Sequence, residues 1–181
     1  MKRILSLSIF SAFSLTSMAQ LPVSTSAENK NAVLEEFTGI YCQFCPDGHA
    51  RAQAFSDANP GDVVLINIHS GIYANPQGSD PDFRTPWGAA IDGQSGLTGY
   101  PAGTINRRVF SGMQQGSGTA MSRGDWASAG ATVISESSYA NIAIEGDIDY
   151  SARTLTVDVE TYFTAAAPGS TVKLNVAVLQ S

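Results

Sequence analysis

Residues 36–53 read EFTGIYCQFCPDGHARAQ and hold the only two cysteines of the 181-residue chain, Cys42 and Cys45, with two residues between them. A C-x-x-C pair serves thiol-disulfide exchange, half of a metal site, or a short structural staple, and only its surroundings can choose among these. Upstream, Ala32-Val33-Leu34-Glu35-Glu36-Phe37 reads as a short strand that stops at Thr38-Gly39. Downstream, from His49, Ala50, Ala54, Phe55 and Ala58 recur at helical spacing until Asn59-Pro60-Gly61 ends the run. Asp62 to Ile68 is then nearly continuous and β-branched, the pattern of a parallel strand buried on both faces. Strand, helix and strand with a short return imply a right-handed βαβ unit, with the cysteine pair at its first turn.

The stretch from Ser70 to Thr98 is rich in Gly, Pro, Asp and Ser, with one short helix expected around Pro86 to Ile91. A connection that long is usually functional or a lid, so an insertion is assigned at about 70–95. Ala102 to Phe110 reads as another strand, Gly112 to Gly118 as a glycine-rich loop, and Asp125 as the cap of a helix from Trp126 to Glu136. This is an α/β layout over residues 31–138. From Ala140 the pattern changes: Ile142, Ile144, Ile148 and Tyr150, then Leu155, Val157 and Val159, then Val172, Leu174, Val176 and Val178 alternate with polar residues. Three such strands over residues 139–181 open an immunoglobulin-like β-sandwich, which needs about seven, so the natural protein is expected to be longer and to carry any sorting signal beyond Ser181.

The first residues, MKRILSLSIFSAFSLTSMAQ, place Lys2 and Arg3 before a short apolar stretch and Ser17-Met18-Ala19 at its end. This is the pattern of a secretory signal peptide over 1–19, followed by a polar linker over 20–30. Gln20, not cysteine, follows the expected cut, so no lipid anchor is expected there. Removing the leader takes two of ten Lys and Arg and none of sixteen Asp and Glu, moving the formal charge from −6 to −8. An acidic chain has no electrostatic footprint for nucleic acid or anionic lipid, and no apolar run is long enough for a transmembrane helix.

Ser95-Gly96-Leu97-Thr98-Gly99-Tyr100-Pro101 resembles the G-x-x-G-x-P segment of thioredoxins, and the cysteine pair with its strand and helix looks like theirs. That resemblance implies a thioredoxin-like domain in which Cys42 is the exposed nucleophile, made a thiolate by the amides of the helix N-terminus, and Cys45 the resolving thiol. It implies that Pro101 is cis and faces the pair, that Tyr100 before it helps align a bound peptide, and that Tyr41 lines the same site. It also implies that Glu36 takes the proton of Cys45; read from the residues alone, Glu36 is equally a solvated strand carboxylate, because Glu35 and Glu36 point to opposite faces. More specifically, FTGIYCQFCPDGH (37–49), RTPWG (84–88) and GYPAGTINR (99–107) resemble the Omp-twenty-eight-related family of exported outer-membrane proteins over residues 32 to 181. This implies a thioredoxin-like domain followed by a β-domain.

Competing readings concern the same residues. Cys42, Cys45, His49 and His69 make a conceivable zinc set, but the histidines are scattered, and neither a metal nor a cofactor is assigned. His49 is expected to hydrogen-bond the loop or tune the cysteines, and His69 to line the cleft from a strand end. Trp87 and Trp126 are expected as core or lid anchors. Arg107 and Arg108 are read as strand residues, with Asn106-Arg107 able to tie the cis-proline loop. A C-x-x-C disulfide closes so short a loop that it stabilises little, which favours exchange chemistry. The expected function is an exported thiol-disulfide oxidoreductase acting on exported proteins with thiols or disulfides, in the periplasm, outer membrane or cell surface. The alternative is a non-enzymatic outer-membrane or surface binding protein in which the disulfide is structural. Gln43-Phe44 between the cysteines leaves the direction of electron flow open.

Overall fold

β1 (Ala32–Thr38) is the strand on which the main sheet is built, and six of its seven residues are buried. The computed structural model describes residues 23–180. β1 pairs in parallel with β2 (Val63–His69), from Ala32 opposite Val63 to Thr38 opposite His69. On its other side it pairs antiparallel with β3 (Ala102–Ile105), which pairs antiparallel with the two-residue β4 (Met121–Ser122). The sheet order is β2-β1-β3-β4. A parallel neighbour requires a crossover, and α1 (Cys45–Ala58) supplies it.

Because strand side chains alternate in direction, β1 feeds two cores. Leu34 and Ile105 pack on one face with Ala52 and Phe55 of α1 and with Trp126, Ala129 and Val133 of α3 (Trp126–Ile134). Phe37, Ile68 and Ala102 pack on the other face with Ile91 of α2 (Pro86–Ser95) and Leu97. The result is a mixed α/β arrangement with helices on both sides of the sheet.

Several elements depart from expectation. α1 starts at Cys45, ahead of the periodic run from His49 and as the resemblance to thioredoxins implies, because Pro46 suits a first helical turn, where its missing N–H needs no acceptor. α2 runs on to Ser95: the Thr85 hydroxyl accepts a hydrogen bond from the Gly88 N–H at 2.9 Å, and Gly96, left-handed at φ 65°, ends the helix. β2 is an edge strand with exposed Val64, not a strand buried on both faces, because no described strand covers its outer side. β3 stops at Ile105 instead of Phe110, since Asn106 and Arg107 take φ of 49° and 47° and turn the chain away. Asp125 sits at the start of α3 without a side-chain cap bond; its backbone carbonyl accepts from the Ala129 N–H at 3.0 Å. α3 itself ends at Ile134, ahead of the expected Glu136.

The second sheet is a single hairpin, β5 (Ala140–Asp149) with β6 (Thr154–Phe163), in register from Ala140–Phe163 to Asp149–Thr154. The Asp149 Oδ1 holds the turn by accepting from the Ser151 and Ala152 amides. Residues 171–180 form neither helix nor strand, so the third alternating segment does not pair. The linker, over its described residues, is not free: the Asn141 Nδ2 donates to Ser24 and Ser26 carbonyls, Ser138 N–H donates to the Glu28 carbonyl, and Lys30 N–H donates to that of Glu136. The expected leader lies outside the described residues. Among those described, no helix is long and apolar enough to cross a membrane.

Candidate active site

Cys42 and Cys45 form a disulfide with Cα atoms 5.3 Å apart. Cys45 is the first residue of α1, and Cys42 lies just ahead of it, its carbonyl accepting from the Cys45 N–H at 3.2 Å. Cys42 is 7% exposed and Cys45 1%, so Cys42 is the more accessible sulfur but not an open one. The loop that carries it is pinned by the insertion. The Tyr41 N–H donates to the Tyr73 carbonyl at 3.1 Å, and a Cβ on Gly39 would lie 2.3 Å from the Tyr73 backbone. Only glycine permits that approach.

Glu36 is 2% exposed, which removes the reading of it as a solvated carboxylate. Its Oε2 lies 3.0 Å from the His49 Nδ1, and the His49 Nε2 lies 3.4 Å from the Thr38 hydroxyl. Its Oε1 is buried with no hydrogen-bond partner among the described residues. A Cβ at Gly48 would come within 2.6 Å of that oxygen and 3.1 Å of the Pro101 ring, so glycine in the first turns of α1 lets the carboxylate and the proline meet. Burial pushes the Glu36 carboxyl above its ordinary 4.5, against an opposing pull from His49. Glu35, on the opposite face, is buried too, and Arg107 neutralises it with a two-pronged contact, its Nη2 2.5 Å and its Nε 2.8 Å from the carboxylate oxygens.

The Tyr100–Pro101 peptide is cis. The Tyr100 ring meets Tyr73 edge-on at 5.6 Å, and its hydroxyl lies over Gly71, with Asp92 at 3.4 Å. Burial raises its phenol above the ordinary range. The Tyr41 hydroxyl donates to Asp80. Both tyrosines expected to line the site therefore engage the 70–95 insertion. Asn106 and Arg107 are turn residues, not strand residues. Asn106 clamps the start of β1, its Oδ1 accepting from Val33 N–H at 2.7 Å and its Nδ2 donating to the Asn31 carbonyl at 3.0 Å. Arg108 pairs with Glu136.

His69 ends β2 and its ring lies 5.1 Å from that of Phe83; burial, and then the charge of His49, lowers its pKa. With His49 committed to Glu36 and His69 to Phe83, the four residues weighed for zinc do not gather, and no cluster of three metal-binding side chains occurs among the described residues. Trp126 is a core anchor whose Nε1 donates to the Met121 carbonyl, whereas Trp87 is 79% exposed and lies outside both cores. Ile40 and Phe44, next to the cysteines in sequence, and Ile72, Tyr73 and Phe83 of the insertion leave apolar surface exposed.

Sequence reasoning missed Tyr73, Asp80 and Gly48. Gly48 had a signal, since glycine inside a helix costs about 1 kcal/mol against alanine and asks for a packing reason. Tyr73 and Asp80 lie in a segment without periodicity and had none.

No protein-family model and no curated protein matches this chain. Among solved structures it is similar to HBP35 of Porphyromonas gingivalis, at 19% identity and a TM-score of 0.47, over 66% of this chain and 38% of that one. It is also similar to protein AGR_C_4864 from Agrobacterium tumefaciens, at 17% identity and a TM-score of 0.44, over 69% of this chain and 55% of that one. The chain thus spans well under two thirds of either protein.

Proposed function

We propose that the chain carries a thioredoxin-like domain that exchanges disulfides with exported proteins, and that it belongs with the Omp-twenty-eight-related proteins, its hairpin opening an immunoglobulin-like sandwich. The observation that carries this reading is the convergence at the head of α1: the Cys42–Cys45 disulfide, then Gly48 with buried Glu36 and cis-Pro101 against it. In the reducing direction of exchange with a substrate disulfide, the Cys42 thiolate attacks one substrate sulfur and the other leaves as a thiolate. The Cys45 thiol gives its proton to Glu36 and attacks the Cys42 sulfur, closing the observed disulfide and releasing the second substrate thiolate. Tyr41, Tyr100 and Pro101 align the partner chain, and the exposed apolar side chains of Ile40 and Phe44 beside the pair suit an unfolded or extended protein segment. The leader-like N-terminus supports export to the periplasm, outer membrane or cell surface.

Equilibrating the full chain in glutathione buffers tests the reading. A potential between about −120 and −270 mV is expected for an exchange site, with turnover abolished in Cys42→Ala; a pair that resists reduction below about −300 mV would make it a structural staple. One observation favours a non-enzymatic binding protein instead, the open apolar face of the β5–β6 hairpin, and that reading gains if the potential is low.

A further inference from the structure

Resting on the exchange reading, we infer that His49 is the solvent end of a proton relay that acts on Cys45 through Glu36. A buried carboxylate that takes a proton in each cycle must lose it again, and among the described residues His49 is the polar side chain in hydrogen-bond contact with Glu36. Its Oε1 faces the Gly48 backbone and the Pro101 ring, neither of which can accept a proton. Its Oε2 faces the His49 Nδ1 at 3.0 Å. The His49 side chain is 42% exposed, against 2% for that of Glu36, so one hydrogen bond spans the step from the buried group to solvent. A cleft of about 150 Å³ opens between α1 and the β1–β2 edge beside this pair, with Gln53 and Asn67 as its other polar lining, and it is large enough for water to reach the imidazole.

The proton balance closes. The Cys45 S–H loses its proton to the Glu36 carboxylate as its sulfur bonds to Cys42 and the substrate sulfur departs with the electron pair of the broken bond. The neutral carboxylic acid then passes the proton to the Nδ1 of His49 in its Nε2–H form, and the imidazolium sheds its Nε2 proton to water. The resulting Nδ1–H tautomer, which donates to the Glu36 carboxylate, returns to the Nε2–H form by proton exchange with solvent before it next accepts. The groups that face the pair are few. The Thr38 hydroxyl on β1 lies 3.4 Å from the His49 Nε2, and His69 on β2 senses the charge of His49. The cis-proline segment contributes the uncharged Pro101, and β3 contributes Gly103. His49 is a positioning residue here, since it touches Glu36 and not the sulfurs.

The test follows ring closure of the reduced full chain after reaction with 5,5′-dithiobis(2-nitrobenzoic acid). The first thiol released reports the mixed disulfide on Cys42, and the second reports attack by Cys45. Glu36→Gln is expected to slow the second release about 100-fold, in the range for loss of a general base. At pH 4.5, where Glu36 starts protonated and must discharge through His49 before it can act, His49→Gln is expected to slow it about tenfold. In His49→Ala, added imidazole should restore part of the rate and shift its pH profile towards that of imidazole, which a purely structural role would not produce. Circular dichroism confirms that each variant is folded. If His49→Gln and His49→Ala close at the native rate while Glu36→Gln is slow, the relay is overturned and the exchange reading stands. A native chain that never releases the second thiol would overturn both.

Discussion

The four-stranded sheet and the β5–β6 hairpin are written in the same strand-forming residues, yet they are buried very differently. β1 buries six of seven residues between two helical layers. β5 and β6 run ten residues each and bury one, Asn141, although Ile142, Ile144 and Ile148 share a face with Leu155, Val157 and Val159. Alternation is enough to make a strand and to sort its faces, but a core needs a second layer. α1 and α3 supply it to one face of β1 and α2 to the other, and no described element supplies it to the hairpin.

The largest test of this contrast is truncation. Trp126→Ala should cost about 3–5 kcal/mol in urea unfolding, and Ile144→Ala under about 1 kcal/mol. Equal losses would mean that the apolar face of the hairpin is covered in solution, and the contrast would fail. Glycines sharpen it next. A Cβ at Gly130 would lie 2.1 Å from the Phe55 ring, where α1 and α3 touch, whereas at Gly146 in the hairpin its nearest neighbour is 3.8 Å away. Gly130→Ala should destabilise by about 1–3 kcal/mol, and Gly146→Ala by no more than about 0.5 kcal/mol.

Charge gives smaller effects. The folded-state pKa of Glu36 is raised, so the folded protein holds a proton that the unfolded chain has already lost, and native stability falls as pH climbs from 4.5 through the raised value. Glu36→Gln should therefore stabilise the fold by about 1 kcal/mol at neutral pH and by nothing below pH 4.5. The smallest effect belongs to Glu136, which Arg108 and then Lys30 hold down to about 2. Its contribution is complete above 4.5 and is lost as pH falls through about 2, so Glu136→Gln should lower stability slightly and evenly above pH 4.5 and flatten the acid limb, the two curves meeting near pH 2.

Much of the α/β order was legible because β1, α1 and the pairing of β2 follow from local periodicity in residues 32 to 68. The edge position of β2 was not, since Val63–His69 reads as continuously apolar whether or not another strand lies beside it. The end of β3 was hidden for a different reason: Asn106 and Arg107 adopt left-handed backbone to satisfy β1 and Glu35, partners 72 or more positions away. At the site, the cysteines, Pro101 and Glu36 stood out by type and spacing. The burial of Glu36 and its link to His49 did not, because they depend on which face of β1 meets α1 and on the room that Gly48 leaves.

The hydrogen bonds that tie residues 24–30 to the start of the hairpin have a mechanical meaning. Tension applied at Ser24 would be borne first by the Asn141 amide, then by the Glu28–Ser138 and Lys30–Glu136 contacts, before any strand of the main sheet was loaded. Those few bonds form a clasp in series with the α/β layers, so a stretched chain would let go of its hairpin while the Cys42–Cys45 pair was still housed.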